Sequence, residues 1–301
     1  MRTEQLQYFV EVARQQSFSL AARKLHIAQP SISQAIKSLE QELNVKLFRR
    51  SRAGVQLTPI GRSLLPKAQS ILNMIDEFCE EARSETDQLE GSLQIAAIPS
   101  MVNTYLSETL VRYKKDHPHV RLEVKEAGTN LIVQEVLSEH VNIGLVSCLP
   151  GETLDPQIEF TPLFSGTYVV YVGKQSSIPL QNPLPRELIA RQPLIALQNE
   201  YRQADYLKKL LGTDELNILV SIGYTEAAKK MISAGIALGF YPDFSVGKDP
   251  YVQSGDIIPL DVADNDLTLQ FGWIRNKRKH FPLAARKFIR VLKEVIDSDS
   301  T

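Results

Sequence analysis

The segment from Phe18 to Pro59, FSLAARKLHIAQPSISQAIKSLEQELNVKLFRRSRAGVQLTP, leaves its backbone few arrangements. Leu20, Ala21 and Leu25, then Ile32, Ala35, Ile36, Leu39 and Leu43, recur at spacings of three and four, the stripe of two amphipathic helices. Between them, His26-Ile27-Ala28-Gln29-Pro30 is long enough only for a tight turn. Pro30 fits the first turn of the second helix, where a missing N–H costs nothing. Helices joined so closely must cross steeply, and the small Ala21 and Ala22 permit the approach. The pattern predicts a helix-turn-helix.

With Ile32, Ala35, Ile36 and Leu39 turned inward, the second helix presents Gln29, Ser31, Ser33, Gln34, Lys37 and Ser38 to solvent. An ordinary solvated face is richer in Glu and Lys, whereas hydroxyls and amides match base edges in a major groove. Arg49, Arg50 and Arg52 then gather around an Ala53-Gly54 turn flanked by strand-like Lys46-Leu47-Phe48 and Val55-Gln56-Leu57, which reads as a basic wing. Residues 1–62 hold ten Lys or Arg against four Asp or Glu, a net +6; the whole chain is −1, so the remaining 239 residues carry −7. Only the first part has the electrostatic footprint of a phosphate binder.

These residues resemble the LysR-type transcriptional regulators of bacteria. The resemblance rests on Leu6-Gln7-Tyr8-Phe9, Ser17-Phe18, Ala21-Ala22, Leu25, Gln29-Pro30-Ser31-Ile32-Ser33, Ile36, Leu39-Glu40, Leu43, Leu47-Phe48, Arg50, Leu57-Thr58 and Gly61. It implies a regulator whose partner is double-stranded DNA with an interrupted dyad operator. Base readout is expected from Gln29, Pro30, Ser33 and Gln34, and backbone contacts from Ser31, Lys37, Arg50, Arg52 and Thr58. Two positions depart from the family pattern. Ala28 stands where Ser or Thr is usual, so the helix lacks an N-cap hydroxyl that typically contributes about 1 kcal/mol. Gln34 stands where Arg or Lys is common; Gln pairs best with adenine and Arg with guanine, so operator preference is expected to differ there.

Beyond the wing, Thr58-Pro59 starts a long helix, with Thr58 as N-cap and Pro59 at the first helical position. Leu64, Ala68, Ile71, Ile75, Phe78 and Ala82 follow at alternating spacings of four and three, a heptad seam widened by Leu65, Leu72 and Cys79. A helix joining two domains is expected to have nothing intramolecular to bury that stripe against, so the seam predicts a homo-oligomer. The family implies a dimer or a dimer of dimers.

From Ser92 strands and helices alternate, with strands near 93–98, 120–126, 141–147, 158–164, 168–172, 194–197, 219–222, 237–241 and 269–274, and helices near 101–116, 131–140, 202–211, 226–234 and 282–297. This predicts an α/β domain with mostly parallel sheets. The resemblance adds two lobes, as in periplasmic binding proteins, with the last strand and helix returning to the first lobe and hinges near 162–166 and 267–271. The fold class expected is α+β multi-domain. A winged helix-turn-helix spans 1–58, a linker helix 59–90 and a two-lobed effector domain 91–301, with lobe I at 91–164 and 267–301 and lobe II at 165–266.

Ligands of doubly wound sheets bind beyond the carboxyl ends of strands, where helix N-termini favour anions. A small, anionic effector is therefore expected near Ser100, Met101, Thr129, Asn130, Ser147, Tyr201, Arg202, Thr225 and Phe240. Ser100, Asn130 and Thr225 are equally accounted for as helix caps.

No cofactor, metal site or catalytic group is expected: the five histidines are scattered and no phosphate loop is present. Cys79 and Cys148 are read as buried thiols of a reducing compartment. The N-terminus opens an amphipathic helix, and no apolar run nears the roughly 20 residues of a membrane span, so the expected location is the cytoplasm. Competing functions are a ligand-independent repressor with an empty cleft and, in another class, a solute-binding receptor. The winged segment speaks against the receptor.

Overall fold

A computed structural model of the chain describes residues 1–51, 54–84, 89–198 and 201–299. Its contacts separate two compact units, residues 1–87 with 278–283 and residues 88–277 with 284–301.

The first unit contains α1 (Thr3–Gln15), α2 (Phe18–Lys24), α3 (Gln29–Leu43), the hairpin β1 (Phe48–Ser51) and β2 (Gly54–Leu57), and α4 (Pro59–Ser84). Ser17 caps α2, its hydroxyl accepting from the Leu20 N–H at 3.3 Å, whereas Ala28 leads into α3 with no side-chain cap. Leu6, Phe9, Val12, Ala21, Ala22, Ile32, Ile36, Leu39 and Leu47 form the core, and Phe9 and Phe18 meet Phe48 edge-on. Two residues expected inside lie outside: Leu20 is 48% and Leu43 40% exposed. The seven-residue α2 buries only Ala21 and Ala22, and Leu43 is the last residue of α3, past the turn that Leu39 anchors.

Glu40 joins the second helix to the wing. Its buried carboxylate accepts from the backbone N–H groups of Leu47 at 2.8 Å and Phe48 at 3.2 Å, and pairs with the Lys46 ammonium at 2.7 Å. Thr58 closes the other side, accepting from the Gly61 N–H at 3.0 Å while its own N–H donates to the Leu47 carbonyl at 2.9 Å. Gly61 is required there, since a Cβ would fall 2.3 Å from that same carbonyl oxygen.

The expectation that the α4 stripe has no partner in its own chain is corrected over the first half of the stripe. Ala68 is buried, and Leu64, Leu65, Ile71 and Leu72 pack against the helix-turn-helix core, because α4 runs along α1. Further on the stripe opens to solvent: Ile75 is half-buried and Phe78 75% exposed, Cys79 is exposed rather than buried as expected, and the side chain of Ala82 lies outside the described residues.

The second unit has two lobes. In one, β3 (Gly91–Ala97), β4 (Val120–Glu126), β5 (Ile143–Cys148), β6 (Ile158–Gly166) and β12 (Leu269–Asn276) form a sheet in the order β4-β3-β5-β12-β6. With it go a helix in three segments, α5 (Pro99–Met101), a π-helical turn (Val102–Leu106) and α6 (Ser107–Asp116), then α7 (Thr129–Leu137) and α12 (Leu283–Asp299). The other lobe holds β7 (Tyr168–Gly173), α8 (Arg186–Ala190), β8 (Leu194–Leu197), α9 (Gln203–Leu211), β9 (Ile218–Ile222), α10 (Thr225–Ser233), β10 (Gly239–Pro242), a 3-10 segment (Asp243–Lys248), α11 (Pro250–Gln253) and β11 (Ile257–Leu260). There β10-β7-β11 form one sheet and β8-β9 another.

The expectation of mostly parallel sheets is corrected to mixed ones. β3–β4, β3–β5 and β8–β9 are parallel, but β12 runs antiparallel to β5 and β6, and β7 antiparallel to β10 and β11. The cause is the double crossing between lobes: β6 passes into β7, and β11 returns to β12, so outgoing and returning strands lie side by side in opposite directions. The Thr167 hydroxyl donates to the Leu267 carbonyl at 2.9 Å, and the Asn265 amide donates to Thr167 Oγ1 at 2.6 Å and to the Tyr168 carbonyl at 3.2 Å, fastening the two crossings together.

Removing the Glu40 carboxylate strands one buried and one half-buried N–H donor. Glu40→Ala should destabilise the first unit by about 2–3 kcal/mol in a denaturant titration, while exposed Gln41→Ala should stay within about 0.5 kcal/mol. Equal effects would show that Glu40 does not hold the wing.

Candidate functional sites

On α3, burial of Ile32, Ile36 and Leu39 fixes the opposite face, and Gln29, Pro30, Ser31, Ser33, Gln34 and Lys37 are all exposed there. The wing pairs Arg49 with Gln56 and Arg50 with Val55; the Arg49 guanidinium donates to Gln56 Oε1 at 3.3 Å. Arg50 belongs to β1, its side chain lying outside the described residues, as Arg52 does entirely. The Thr58 hydroxyl is engaged as the α4 cap, so its free contact capacity is smaller than that of the α3 residues.

Between the two lobes of the second unit lies a cavity of about 290 Å³. It gathers Ser100, Ser147, Tyr201, Thr225 and Phe240 of the residues expected there. The remaining four stand outside its lining. Met101 and Thr129 are fully buried in packing, Asn130 faces solvent, and the Arg202 guanidinium is tied to the Glu152 carboxylate and lies 5.7 Å from the Tyr206 ring centre. Thr129 leads α7 after a Gly128 N-cap, and neither it nor Asn130 reaches the cavity lining.

Gln203 sets the position of the second lobe's walls. Its side-chain oxygen accepts from the Leu197 N–H and its amide donates to the Phe240 carbonyl, both at 2.8 Å, joining β8 to β10. The sequence reading missed the charged groups of the cavity. Lys229, on α10, lies 3.0 Å from Asp249 Oδ2 and 3.1 Å from Glu226 Oε1, with its ammonium 5.6 Å from the centre of the Tyr241 ring. Gly173 of β7 lets α10 approach this closely, since a Cβ would fall 1.9 Å from the Ile232 carbonyl oxygen. Burial opposes the charge of Lys229, but the two carboxylates outweigh it and raise its pKa. Lys248 bonds the Thr104 carbonyl at 3.2 Å and Asp299 at 2.9 Å. Thr104 itself comes from the π-helical turn, an element that recurs at functional sites; its buried hydroxyl has no hydrogen-bond partner among the described residues.

A signal for Lys229 was present in the sequence. Thr225, Ala228, Lys229 and Ile232 occupy i, i+3, i+4 and i+7, so the lysine falls on the buried stripe of its helix. Cys148 is buried beside the cavity, and burial, helped by Glu152 and opposed by Arg202, pushes its thiol up to about 11. A thiol so protonated is a poor nucleophile.

The model of the bacterial regulatory helix-turn-helix proteins of the lysR family matches residues 3–62, and that of the LysR substrate binding domain matches residues 86–297. Similar proteins include the uncharacterised HTH-type transcriptional regulator YcgK of Bacillus subtilis, 35% identical with 96% of this chain and 93% of that one covered. The regulator AlsR of the same organism is 28% identical, with coverage of 97% and 95%. Among solved structures, full-length OxyR of Pseudomonas aeruginosa superposes with a TM-score of 0.65 at 22% identity, covering 98% of this chain and 94% of that one. A full-length CbnR, a LysR family regulator solved with its target DNA, gives 0.55 at 22% identity, covering 98% and 100%. Among the described residues no helix is long and apolar enough to cross a membrane. A winged helix-turn-helix and a two-lobed effector domain, each matched by its own family model, make this chain a member of the LysR family of DNA-binding transcriptional regulators.

Proposed function

We propose that this regulator reads an interrupted dyad operator in the cytoplasm as a dimer or dimer of dimers, and that a small effector with an anionic group, held between the lobes, changes its operator binding. Its work is recognition, with no catalytic step. The supporting division of the chain is 1–58 for the reader, 59–90 for the linker and 91–301 for the effector domain, with lobe II at 165–266.

The observation that carries the reading is the composition of the α3 outer face: short donor and acceptor side chains, exposed in a row, on a helix whose other face is locked into a core. Gln29, Pro30, Ser33 and Gln34 meet base edges; Ser31, Lys37, Arg50, Arg52 and Thr58 meet the backbone. The fold is shared with CbnR, which has been solved on its target DNA. In the cavity, Ser100 and Thr225 sit at the first turns of their helices, and Lys248 adds an ammonium whose hydrogen bonds leave a donor for an acid group on the effector.

Base and phosphate contacts separate by experiment. Arg50→Ala should weaken binding to operator and random duplex alike and lower the slope of log affinity against log salt by about 1. Gln34→Ala and Ser33→Ala should lower the ratio of operator to random affinity, by about 1–3 kcal/mol for a lost bidentate contact. An unchanged ratio in both would move base readout off α3.

Pairing of chains through the exposed end of the α4 stripe is tested at Phe78. Phe78→Ala should weaken dimerisation at least about tenfold by sedimentation, and Ser63→Ala on an exposed part of the same helix should leave it unchanged. A dimer indifferent to Phe78 would place the interface elsewhere.

A further inference from the structure

The charges of the inter-lobe cavity are not arranged for an acid alone. Lys229 already has a fixed counter-ion: Asp249 is almost wholly buried, accepts from the Tyr171 hydroxyl at 3.2 Å and caps α11 through the Tyr251 N–H at 3.0 Å. One carboxylate neutralises one ammonium. Glu226, 66% exposed at the mouth of the cavity, is therefore a second and surplus acid on the same lysine. This side of the cavity carries excess negative charge.

Across the cavity from Glu226, donors come from both lobes: Thr104 of the first lobe and Lys248 of the second. The Thr104 hydroxyl is only 4% exposed and lacks a hydrogen-bond partner among the described residues, which is costly unless something else completes it. Lys248 has three N–H donors; among the described residues its hydrogen-bond acceptors are the Thr104 carbonyl and Asp299, and its ammonium also lies 5.1 Å from the centre of the Tyr105 ring. Lys248 and Asp249 are consecutive, yet one reaches the π-helical turn and the other reaches α10, so a single backbone step sets the two poles apart. A simple acid would leave Glu226 unanswered, and a simple amine would leave Thr104 unanswered.

Resting on the reading of this cavity as the effector site, we propose that its ligand is a small zwitterion of the α-amino acid class. Its carboxylate takes the Thr104 hydroxyl and the remaining Lys248 donor, and its ammonium takes Glu226. A cavity of about 290 Å³ lies at the small end of ligand pockets and suits a molecule of that size.

The test is calorimetry on the full-length protein with three matched panels: L-α-amino acids, the same acids lacking the amino group, and the same amines lacking the carboxyl. At least one amino acid should bind, its two truncated counterparts should bind about 30-fold more weakly or less, and Glu226→Gln and Thr104→Val should each weaken it about tenfold or more. Glu226→Gln also separates the proposal from a merely structural role, because for a simple acid the same change removes a competitor and tightens binding. Tighter binding of the amino-free acids by Glu226→Gln, with no amino acid bound, overturns the zwitterion and leaves the cleft as an acid site. Binding indifferent to Glu226, Thr104 and Lys248 substitutions overturns the cleft itself as the effector site. No binding in any panel overturns the zwitterion.

Discussion

Two crossings of the chain between two sheets are the constraint on which the effector domain depends. β6 runs out of the five-stranded sheet directly into β7, and β11 returns into β12, so the lobes are joined by neighbouring antiparallel strands rather than by a linker. Thr167 and Asn265 tie those crossings with side-chain bonds to each other and to backbone carbonyls. Around the crossing, Phe164 and Phe271 stack at 5.5 Å, and Phe244 stands edge-on to both, at 4.9 and 4.7 Å. Tyr105 from the π-helical turn packs on Phe164 and Phe244. An aromatic hinge of this kind gives the cavity an apolar wall, Phe271 being part of its lining, and leaves polar work to the other lining residues.

The winged unit was legible in the sequence because its signals are local. A spacing of three and four names the buried face of a helix, and everything at other positions must be exposed, so the outer residues of α3 follow without any knowledge of tertiary contacts. The same logic overreached at Leu20 and Leu43, where an apolar residue at the right spacing lies beyond the partner helices. It overreached again on α4, whose stripe is read by period alone. Period shows that a face wants cover, not whether α1 or another chain provides it.

Strand pairing was less legible. A buried strand has the same run of Val, Ile and Leu whichever neighbour it takes, so the direction of β12 could not be read from its residues. In the cavity, reasoning from strand ends found Ser100, Ser147 and Thr225 because those positions follow from topology. It missed Asp249, which sits before Pro250 in what reads as an ordinary turn, and Lys248, whose contacts are with residues far away in sequence, Thr104 and Asp299. Arg202 looked like the acid-binding cation by residue type, yet Glu152 occupies it. Charge type alone does not identify a ligand partner when an internal counter-ion lies within reach.

The two acids on Lys229 differ in kind, and that difference bears on regulation. Breaking a buried pair by losing one partner typically costs about 3–5 kcal/mol, so Lys229 and Asp249 act as fixed framework. A largely exposed pair is worth about 1 kcal/mol or less, so Glu226 can exchange its partner at little cost. A ligand can shift a conformational equilibrium only by the difference in its affinity for the two states. Lys248 supplies such a difference: it belongs to one lobe and bonds Thr104 and Asp299 of the other, so its contacts depend on how far the lobes are closed. A ligand that adds a third acceptor at Thr104 and Lys248 while engaging Glu226 opposite is held by both lobes at once. Under the proposed binding mode its full affinity requires both lobes, which is the condition for an effector rather than a passive occupant.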